Sequence, residues 1–411
     1  MQVGIVGGGI GGLTAALALH ARGIACRVYE AVPQIRPLGV GINLLPHATA
    51  YLEALGVLRS LEAAAVATRE AAYYNRFGQL IHLEPLGRAA GYATPQLSIH
   101  RGELQMVLLD AVLSRLGPEA VQTGRRCLGV EQDETGALLH LQDSETGATL
   151  PPLRCDAVVA ADGIHSVIRR GFFPEEGPPV YSGVNMWRGV TRMQPILSGA
   201  TMVRAGWLAQ GKMVIYPIRT YPDGLQLMNW VAEIETPHHH PNDWARPGRL
   251  EDFLPAFADW HFDWLDVPAM IRAAEVVLEY PMVDKDPLPR WSHGRVTLLG
   301  DAAHPMYPRG SNGAGQAILD AKALAECLSG QRDPVAALKE YEDRRLGPTA
   351  AVVRTNRSSP PDAIIREVWQ RSGDKPFARI EDVISREELT AMLEGYKKVA
   401  GYDRAALQPA P

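Results

Sequence analysis

The amino-terminal part of the chain combines short apolar runs with a helical repeat. Gln2–Val6 is an apolar run of strand length, and Leu13, Ala16 and Leu17 then recur at helical spacing. Cys26–Glu30 is a second run of strand character. The pattern predicts a strand, a helix and a second strand, which together make a βαβ unit of about 30 residues.

Further along the chain, other apolar runs have the character of buried strands. Asp156–Ala161 is almost continuously apolar, and Arg295–Gly300 repeats the pattern. A helical repeat covers Leu104–Arg115 and ends at Gly117, which proline follows. A long helix is predicted from about Gly315. This alternation of strands and helices is typical of an α/β domain.

Between about Val180 and Ile234 the pattern changes. Lys212–Ile218 and Gln226–Ile234 are rich in β-branched and aromatic residues, and the turn Pro222-Asp223-Gly224 separates them. This part of the chain predicts an antiparallel sheet. The polar stretch at the carboxyl end is predicted to be helical and carries no recognisable motif.

Composition and charge exclude several classes of protein. The 411 residues suffice for two modest domains, and the 46% hydrophobic and 21% charged residues are ordinary for a soluble enzyme. A net charge of −5 predicts no surface for nucleic acid or an anionic membrane. The uncharged run Val3–Leu19 lacks a preceding basic segment and contains turn-forming glycines, so it predicts a strand and a helix rather than a signal peptide. We expect a cytoplasmic protein.

Three glycines, Gly7, Gly9 and Gly12, follow the first predicted strand and open the first helix. The first permits a tight turn, the second lets the backbone approach a pyrophosphate, and the third lets helix and strand pack closely. Free N–H groups at the helix N-terminus attract phosphates. Glu30, which ends the second strand, can accept hydrogen bonds from ribose hydroxyls. The fingerprint predicts a bound dinucleotide, and FAD and NAD both satisfy it.

A second motif, towards the carboxyl end, favours FAD. The stretch Leu298–Pro305 begins as an apolar strand, which is followed by Asp301 and then by a turn. Gly313–Gly315 opens a helix soon afterwards. Asp301 can bind a polyol such as the ribityl chain. The backbone N–H groups of Gly313–Gly315 can point at the pyrimidine edge of a flavin, where the helix dipole would stabilise negative charge. A nicotinamide dinucleotide does not need this second platform, so we predict bound FAD.

As a set, these motifs resemble those of the single-component FAD-dependent aromatic hydroxylases, which include para-hydroxybenzoate, salicylate and kynurenine monooxygenases. The resemblance also rests on Arg101 in HRGEL and on Asp162-Gly163 followed by Ser166 and Arg169. The chain looks most like the phenazine-carboxylate hydroxylases in six stretches: Ile35–Asn43, Ser98–Met106, Ala161–Ser166, Met186–Thr191, Tyr280–Asp284 and Thr297–His304.

The resemblance implies a para-hydroxybenzoate hydroxylase-like fold, α/β in its Rossmann-type FAD-binding domain and α+β overall. The FAD-binding domain would comprise residues 1–75, 98–178 and 275–350, the inserted antiparallel-sheet substrate domain residues 76–97 and 179–274, and a C-terminal helical segment residues 351–411. The implied activity is hydroxylation of an aromatic or N-heteroaromatic acid with FAD, transient NADH or NADPH, and O2. Loss of CO2 in the same reaction stays open, as does the choice between monomer and homodimer.

Carried over residue by residue, the resemblance implies several cofactor contacts. Glu30 would bind the adenosine ribose, Arg101 the phosphate and ribityl region, and Asp301 the ribityl chain. Cys127 would make a backbone contact near adenine, and Asp162 belongs to a segment associated with both FAD and the nicotinamide donor. The full set of predicted cofactor residues is Gly7, Gly9, Ile10, Gly11, Gly12, Glu30, Ala31, Gly41, Ile42, Arg101, Cys127, Asp162, Asp301, Gly313, Ala314 and Gly315. The chain departs from the family pattern Gly-Gln-Gly, with Ser311-Asn312-Gly313 in its place.

The predicted substrate pocket combines aromatic, cationic and apolar side chains. Trp187 offers an aromatic wall, Arg188 can pair with a substrate carboxylate, and Tyr216 can bond to or stack on a ring. The alternative for Arg188 and Tyr216 is a structural role in the sheet. Pro305 is expected beside the flavin. No side chain is assigned as catalytic, because the cofactor carries the chemistry.

No metal site is predicted. The four cysteines contain no CxxC pair, and the run His238–His240 is bracketed by prolines in a loop where adjacent side chains do not converge on one ion. Two other functions remain as alternatives: an FAD-dependent reductase or halogenase on the same fold, and a flavin-binding protein without turnover. The tryptophan spacing typical of the halogenases is missing.

Overall fold

The computed structural model describes residues 1–237 and 246–407. Its strands, in chain order, are β1 (Gln2–Val6), β2 (Ala25–Tyr29), β3 (Gly41–Leu44), β4 (Val66–Thr68), β5 (Glu70–Tyr74), β6 (Leu80–Pro85), β7 (Gln96–His100), β8 (Val121–Gln122), β9 (Arg125–Gln132), β10 (Ala137–Asp143), β11 (Leu153–Cys155), β12 (Ala157–Ala160), β13 (Val180–Met193), β14 (Thr201–Trp207), β15 (Gly211–Thr220), β16 (Gln226–Glu235), β17 (Arg246–Pro247), β18 (His261–Phe262), β19 (Leu265–Asp266), β20 (Val277–Asp284), β21 (Ser292–His293) and β22 (Val296–Leu298).

The α-helices of the same ranges lie between these strands and after them. They are α1 (Ile10–Ala21), α2 (Pro46–Ala54), α3 (Leu58–Ala64), α4 (Arg101–Leu116), α5 (Val167–Phe172), α6 (Leu250–Phe253), α7 (Val267–Arg272), α8 (Gly313–Gly330), α9 (Pro334–Ser358), α10 (Ala363–Ser372), α11 (Arg386–Ala400) and α12 (Arg404–Leu407). None of the helices in these ranges is long and apolar enough to cross a membrane.

A sheet in the order β21-β22-β12-β1-β2-β8 forms the dinucleotide-binding half. β1 pairs in parallel with both β2 and β12, and β22 pairs in parallel with β12. The central strands are apolar along their length because helices cover the sheet, and Val3, Ile5 and Val158 are fully buried. The predicted βαβ unit and the predicted α/β fold class are confirmed.

A larger sheet, in the order β17-β20-β13-β16-β15-β14-β5-β6, forms the second half. β13, β16, β15 and β14 pair antiparallel in succession, as the sequence pattern predicts. Because side chains alternate across a strand, neighbouring residues of β13 face opposite sides. On one side Trp187, Trp230 and Phe253 share an aromatic core under α6.

The ends of this sheet extend beyond the predicted substrate domain. β5 begins at Glu70, before the predicted boundary at residue 75, and pairs with β6 and β14. The carboxyl-terminal helices α10 and α11 pack on the same end of the sheet, where Ile365, Val368 and Leu393 are buried with Tyr73. Residues that the resemblance assigns to the FAD-binding domain therefore belong to this sheet, and residues that it assigns to the C-terminal segment pack on it.

Candidate active site

A cavity of about 460 Å³ is lined by residues from both sheets. Ligand sites in proteins commonly have volumes of about 300–1,000 Å³. One part of its lining consists of glycine-rich turns that follow strands of the parallel sheet. The other part consists of side chains from β13, β15 and β20 together with the turn before α8.

The glycine-rich turn after β1 has the shape that a dinucleotide requires. Gly9, Ile10 and Gly11 line the cavity. No side chain caps α1 at Gly9, so the first N–H groups of this helix are available to an anion. Gly7 and Gly12 do not line the cavity but make the turn possible: a Cβ on Gly12 would overlap the carbonyl oxygen of Gly7.

Glu30 fixes this turn from behind. Its carboxylate accepts a hydrogen bond from the Gly8 N–H at 2.6 Å and another from the Val32 N–H at 2.9 Å. Glu30 and Ala31 do not line the cavity described above. The Glu30 carboxylate therefore has a structural task as well as the predicted contact with ribose.

We expect Glu30→Gln to bind FAD several-fold more weakly than the wild-type protein. The amide keeps one acceptor oxygen but cannot accept from both backbone N–H groups, and leaving one of them unpaired costs about 1–3 kcal/mol. Titration of apoprotein with FAD, followed by flavin fluorescence, measures the affinity. Glu53→Gln, at an exposed position of α2, is the control. Unchanged affinity in Glu30→Gln would show that Glu30 neither orders this turn nor binds ribose.

Asp301 and Arg101 line the cavity beyond the turn. Asp301 follows β22 in a helical turn, as the strand pattern predicts. Desolvation by the surrounding wall raises the pKa of Asp301, although the charges of His304 and Arg101 oppose the shift. An acceptor in these surroundings is suited to neutral hydroxyl groups such as those of a polyol.

The turn before α8 completes this part of the cavity. Ser311, Asn312, Gly313 and Ala314 line it, and no side chain caps α8 at Asn312. The free N–H groups of the helix N-terminus thus border the cavity. Gly315 lies behind them, where a Cβ would stand 2.9 Å from Nε2 of His47.

The polar part of the opposite wall centres on Arg188 and Tyr216. Arg188 Nη2 donates a hydrogen bond to the carbonyl oxygen of Gly41 at 2.9 Å, and its buried Nε has no hydrogen-bond partner. Tyr216 lines the same wall as Arg188 and Asn43, and burial raises the pKa of the Tyr216 hydroxyl although the nearby Arg188 opposes the shift. Asn229 accepts from the Gly41 N–H at 2.7 Å.

Apolar side chains complete the pocket. Ile42, Met186, Tyr280, Val283, Pro305 and Met306 all line the cavity. Trp187 does not: it is buried on the other side of β13, stacked on Phe253 with ring centroids 5.1 Å apart. The structure thus brings Arg188, Tyr216 and Pro305 together and leaves Trp187 in the core of the sheet.

Besides Gly7, Gly12, Glu30, Ala31 and Gly315, the predicted cofactor residues Cys127 and Asp162 also lie outside the cavity lining. Cys127 is buried in β9, and burial raises its pKa to about 12. Asp162 accepts from the Val167 N–H at 3.0 Å, while its buried Oδ1 has no hydrogen-bond partner. Its neighbours Ala161 and Gly163 do line the cavity. The contacts predicted for Cys127 and Asp162 remain predictions.

Several lining residues have no role in the sequence prediction. Asn43 and Tyr280 fall in stretches used only for the resemblance, and Met306 follows the last motif directly. His304 is buried, with Nε2 placed 2.5 Å from Asp320 Oδ2.

No group of three or more potential metal ligands occurs in residues 1–237 and 246–407. The run His238–His240 lies outside these ranges.

The cavity has the features that FAD needs: two uncapped helix N-termini, glycines that permit close approach, and the acceptor Asp301 between them. The family model described as FAD binding domain matches residues 1–195 and 278–356. Phenazine 1,6-dicarboxylic acid hydroxylase of Lysobacter antibioticus is 43% identical, over 98% of each chain. 3-Amino-4-hydroxybenzoate 2-monooxygenase of Streptomyces cremeus is 33% identical, over 100% of this chain and 99% of the relative.

A solved structure agrees with these relatives. HpxO of Klebsiella pneumoniae, complexed with FAD and uric acid, has a TM-score of 0.80 at 25% identity, with 98% of each chain covered. The predicted cofactor, FAD, is confirmed at the level of the family, and the named relatives are oxidoreductases. With most of its length matched by the family model and by these relatives, the chain belongs to the FAD-dependent aromatic-ring monooxygenases.

Proposed function

We propose that this enzyme hydroxylates a planar aromatic or N-heteroaromatic acid and that Arg188 binds the carboxylate of the substrate. The observation that supports this most is the unpartnered Nε of Arg188, buried beside an otherwise largely apolar pocket. A buried donor without a partner is costly, and a carboxylate supplies the strongest partner for a guanidinium group. The named acids of the two relatives agree with this class.

The position of the second cationic side chain in the cavity supports the assignment of Arg188 to the substrate carboxylate. Among the described residues that line the cavity, the cationic side chains are Arg101 and Arg188. Arg101 begins α4 near the glycine-rich turn and is predicted to contact the FAD phosphates. Arg188 is therefore the group left to bind an anionic substrate.

The chain's own tasks are binding, orientation and exclusion of water. FAD, when bound, takes reducing equivalents from NADH or NADPH and activates O2 for transfer to a ring. Arg188 orients the acid through a charge-assisted hydrogen bond, and Tyr216 and Asn43 hold the polar end of the pocket. Met186, Val283 and Pro305 supply apolar surface for the ring and keep water out.

A substrate panel tests the proposal. We expect phenazine, phenolic and nicotinic carboxylates to stimulate NAD(P)H oxidation with formation of a hydroxylated product, and the corresponding amides or methyl esters to be poorer substrates. Mass spectrometry of the products distinguishes hydroxylation from hydroxylation with loss of CO2. A comparison of NADH with NADPH identifies which of the two is the electron donor. Equal stimulation by acids and their neutral derivatives would contradict the proposed carboxylate site.

Cellular location and assembly complete the proposal. We propose a cytoplasmic enzyme that works on small molecules as a monomer or homodimer. Support for the location comes from the net charge of −5, which provides no basic surface for nucleic acid or an anionic membrane.

A further inference from the structure

The carboxyl-terminal residues 359–407 contact the turn Gly310–Gly315 directly. The hydroxyl of Tyr396, on α11, accepts a hydrogen bond from Asn312 Nδ2 at 2.9 Å and donates one to Asn356 Oδ1 at 2.7 Å. Tyr396 is 3% exposed, Asn312 1% and Asn356 0%. Tyr396 therefore connects the turn to α9 inside the protein.

The turn needs such a support. Ser311 has φ +55°, in the left-handed region that residues other than glycine rarely adopt, and it is kept there only when the surroundings fix it. Asn312 Nδ2 also donates to the Gly310 carbonyl at 3.2 Å, so one amide group spans the strained residue. A Cβ on Gly310 would overlap the Tyr396 hydroxyl, which shows how closely the turn packs on it.

A second contact joins the same segment to α8. Gln316 Nε2 donates to the Ala400 carbonyl at 3.1 Å, and Gln316 Oε1 accepts from Arg345 Nη2 at 2.7 Å. Gln316 is buried in the first turns of α8. Residues 359–407 thus contact the start of α8 at two points: Tyr396 bonds to Asn312 just before the helix, and Ala400 bonds to Gln316 within it.

We propose that Tyr396 is a positioning residue for FAD: acting through Asn312, it holds the turn Gly310–Gly315 in the shape that receives the flavin. The proposal rests on the prediction that Gly313, Ala314 and Gly315 contact the flavin ring. Ser311, Asn312, Gly313 and Ala314 all line the cavity, so a change in this turn changes the cavity wall. Tyr396 lies beyond residue 356, where the match to the family model ends.

Titration of apoprotein with FAD tests the proposal through affinity alone. Tyr396→Phe removes one hydroxyl, and we expect the Kd for FAD to rise about five- to tenfold, the range for a lost buried hydrogen bond. Tyr92→Phe is the matched control, because the Tyr92 hydroxyl donates to the Tyr402 carbonyl at 2.6 Å and so holds the same segment without contacting the turn. Its Kd should stay within about twofold of the wild-type value.

Asn312→Ala tests the same contact from the other side and serves if Tyr396→Phe does not fold. We expect it to weaken FAD binding to a similar extent, and Tyr396→Phe should add little in the Asn312→Ala background. An unchanged Kd in Tyr396→Phe, an equal rise in Tyr92→Phe, or fully additive effects in the double variant would overturn the proposal. Because the titration contains no aromatic acid and leaves Arg188 unchanged, any of these results would leave the proposed function intact.

Discussion

The Asp301→Ala protein should be purified nearly colourless, with little bound FAD. Asp301 lines the cavity between the two uncapped helix N-termini, where its carboxylate is the predicted acceptor for the ribityl hydroxyls. Removing a charged acceptor costs about 1.5–3 kcal/mol, which raises the Kd for FAD roughly 10- to 100-fold. Asp301 is exposed at the cavity, so its replacement should leave the fold intact.

Flavin absorbance per chain after purification, followed by FAD titration of the apoprotein, measures this effect. Asp110→Ala, at an exposed position of α4, is the matched control and should retain FAD as the wild-type protein does. Asp301→Asn should fall between the two, because the amide keeps one acceptor oxygen. Full retention of FAD by Asp301→Ala would remove Asp301 from the cofactor site.

The Arg188→Met enzyme should need much more substrate when that substrate is an acid. Loss of a charge-assisted hydrogen bond to the carboxylate costs about 1.5–3 kcal/mol, so we expect KM for acids to rise about tenfold or more. Methionine keeps much of the apolar length of arginine, and KM for neutral analogues should change far less. Arg192→Met is the control, since Arg192 lies on the same strand but pairs with Asp223 in an exposed ion pair.

An alternative role for Arg188 gives a different result. Its Nη2 also donates to the carbonyl oxygen of Gly41, so the side chain helps to fix the start of β3. If acids and neutral analogues lost activity equally in Arg188→Met, this structural contact would be the main role of Arg188. Arg188→Lys should then fail to restore any preference for acids.

Local signals made the dinucleotide-binding half predictable. Gly7, Gly9 and Gly12 lie in a single turn. The apolar residues of β1 and β12 come directly before the turns that these strands position, so both features can be recognised in short stretches of sequence. The same local reasoning predicts the position of Asp301 in the chain, because a strand ends shortly before it and a helix begins soon after it. The confirmed parts of the fold are those in which neighbouring residues carry the information.

Contacts between distant segments were not predictable. Alternation along β13 shows that Trp187 and Arg188 face opposite sides, but only α6, with Phe253, determines which side is the aromatic core. Likewise, 84 positions separate Asn312 from Tyr396, and the carboxyl-terminal segment contains no motif from which this contact could be predicted. Packing against a partner far away in the sequence decides both cases.

The origin of the oxygen atom in the product tests the central claim most directly. The FAD-loaded enzyme is supplied with NADH, an aromatic acid that stimulates NADH oxidation, and ¹⁸O2 in unlabelled water. A monooxygenase predicts a hydroxylated product that contains one ¹⁸O atom, formed in step with NADH consumption. Product without ¹⁸O, or NADH oxidation that yields no oxygenated product with any acid of the panel, would contradict the assignment and favour a flavin reductase.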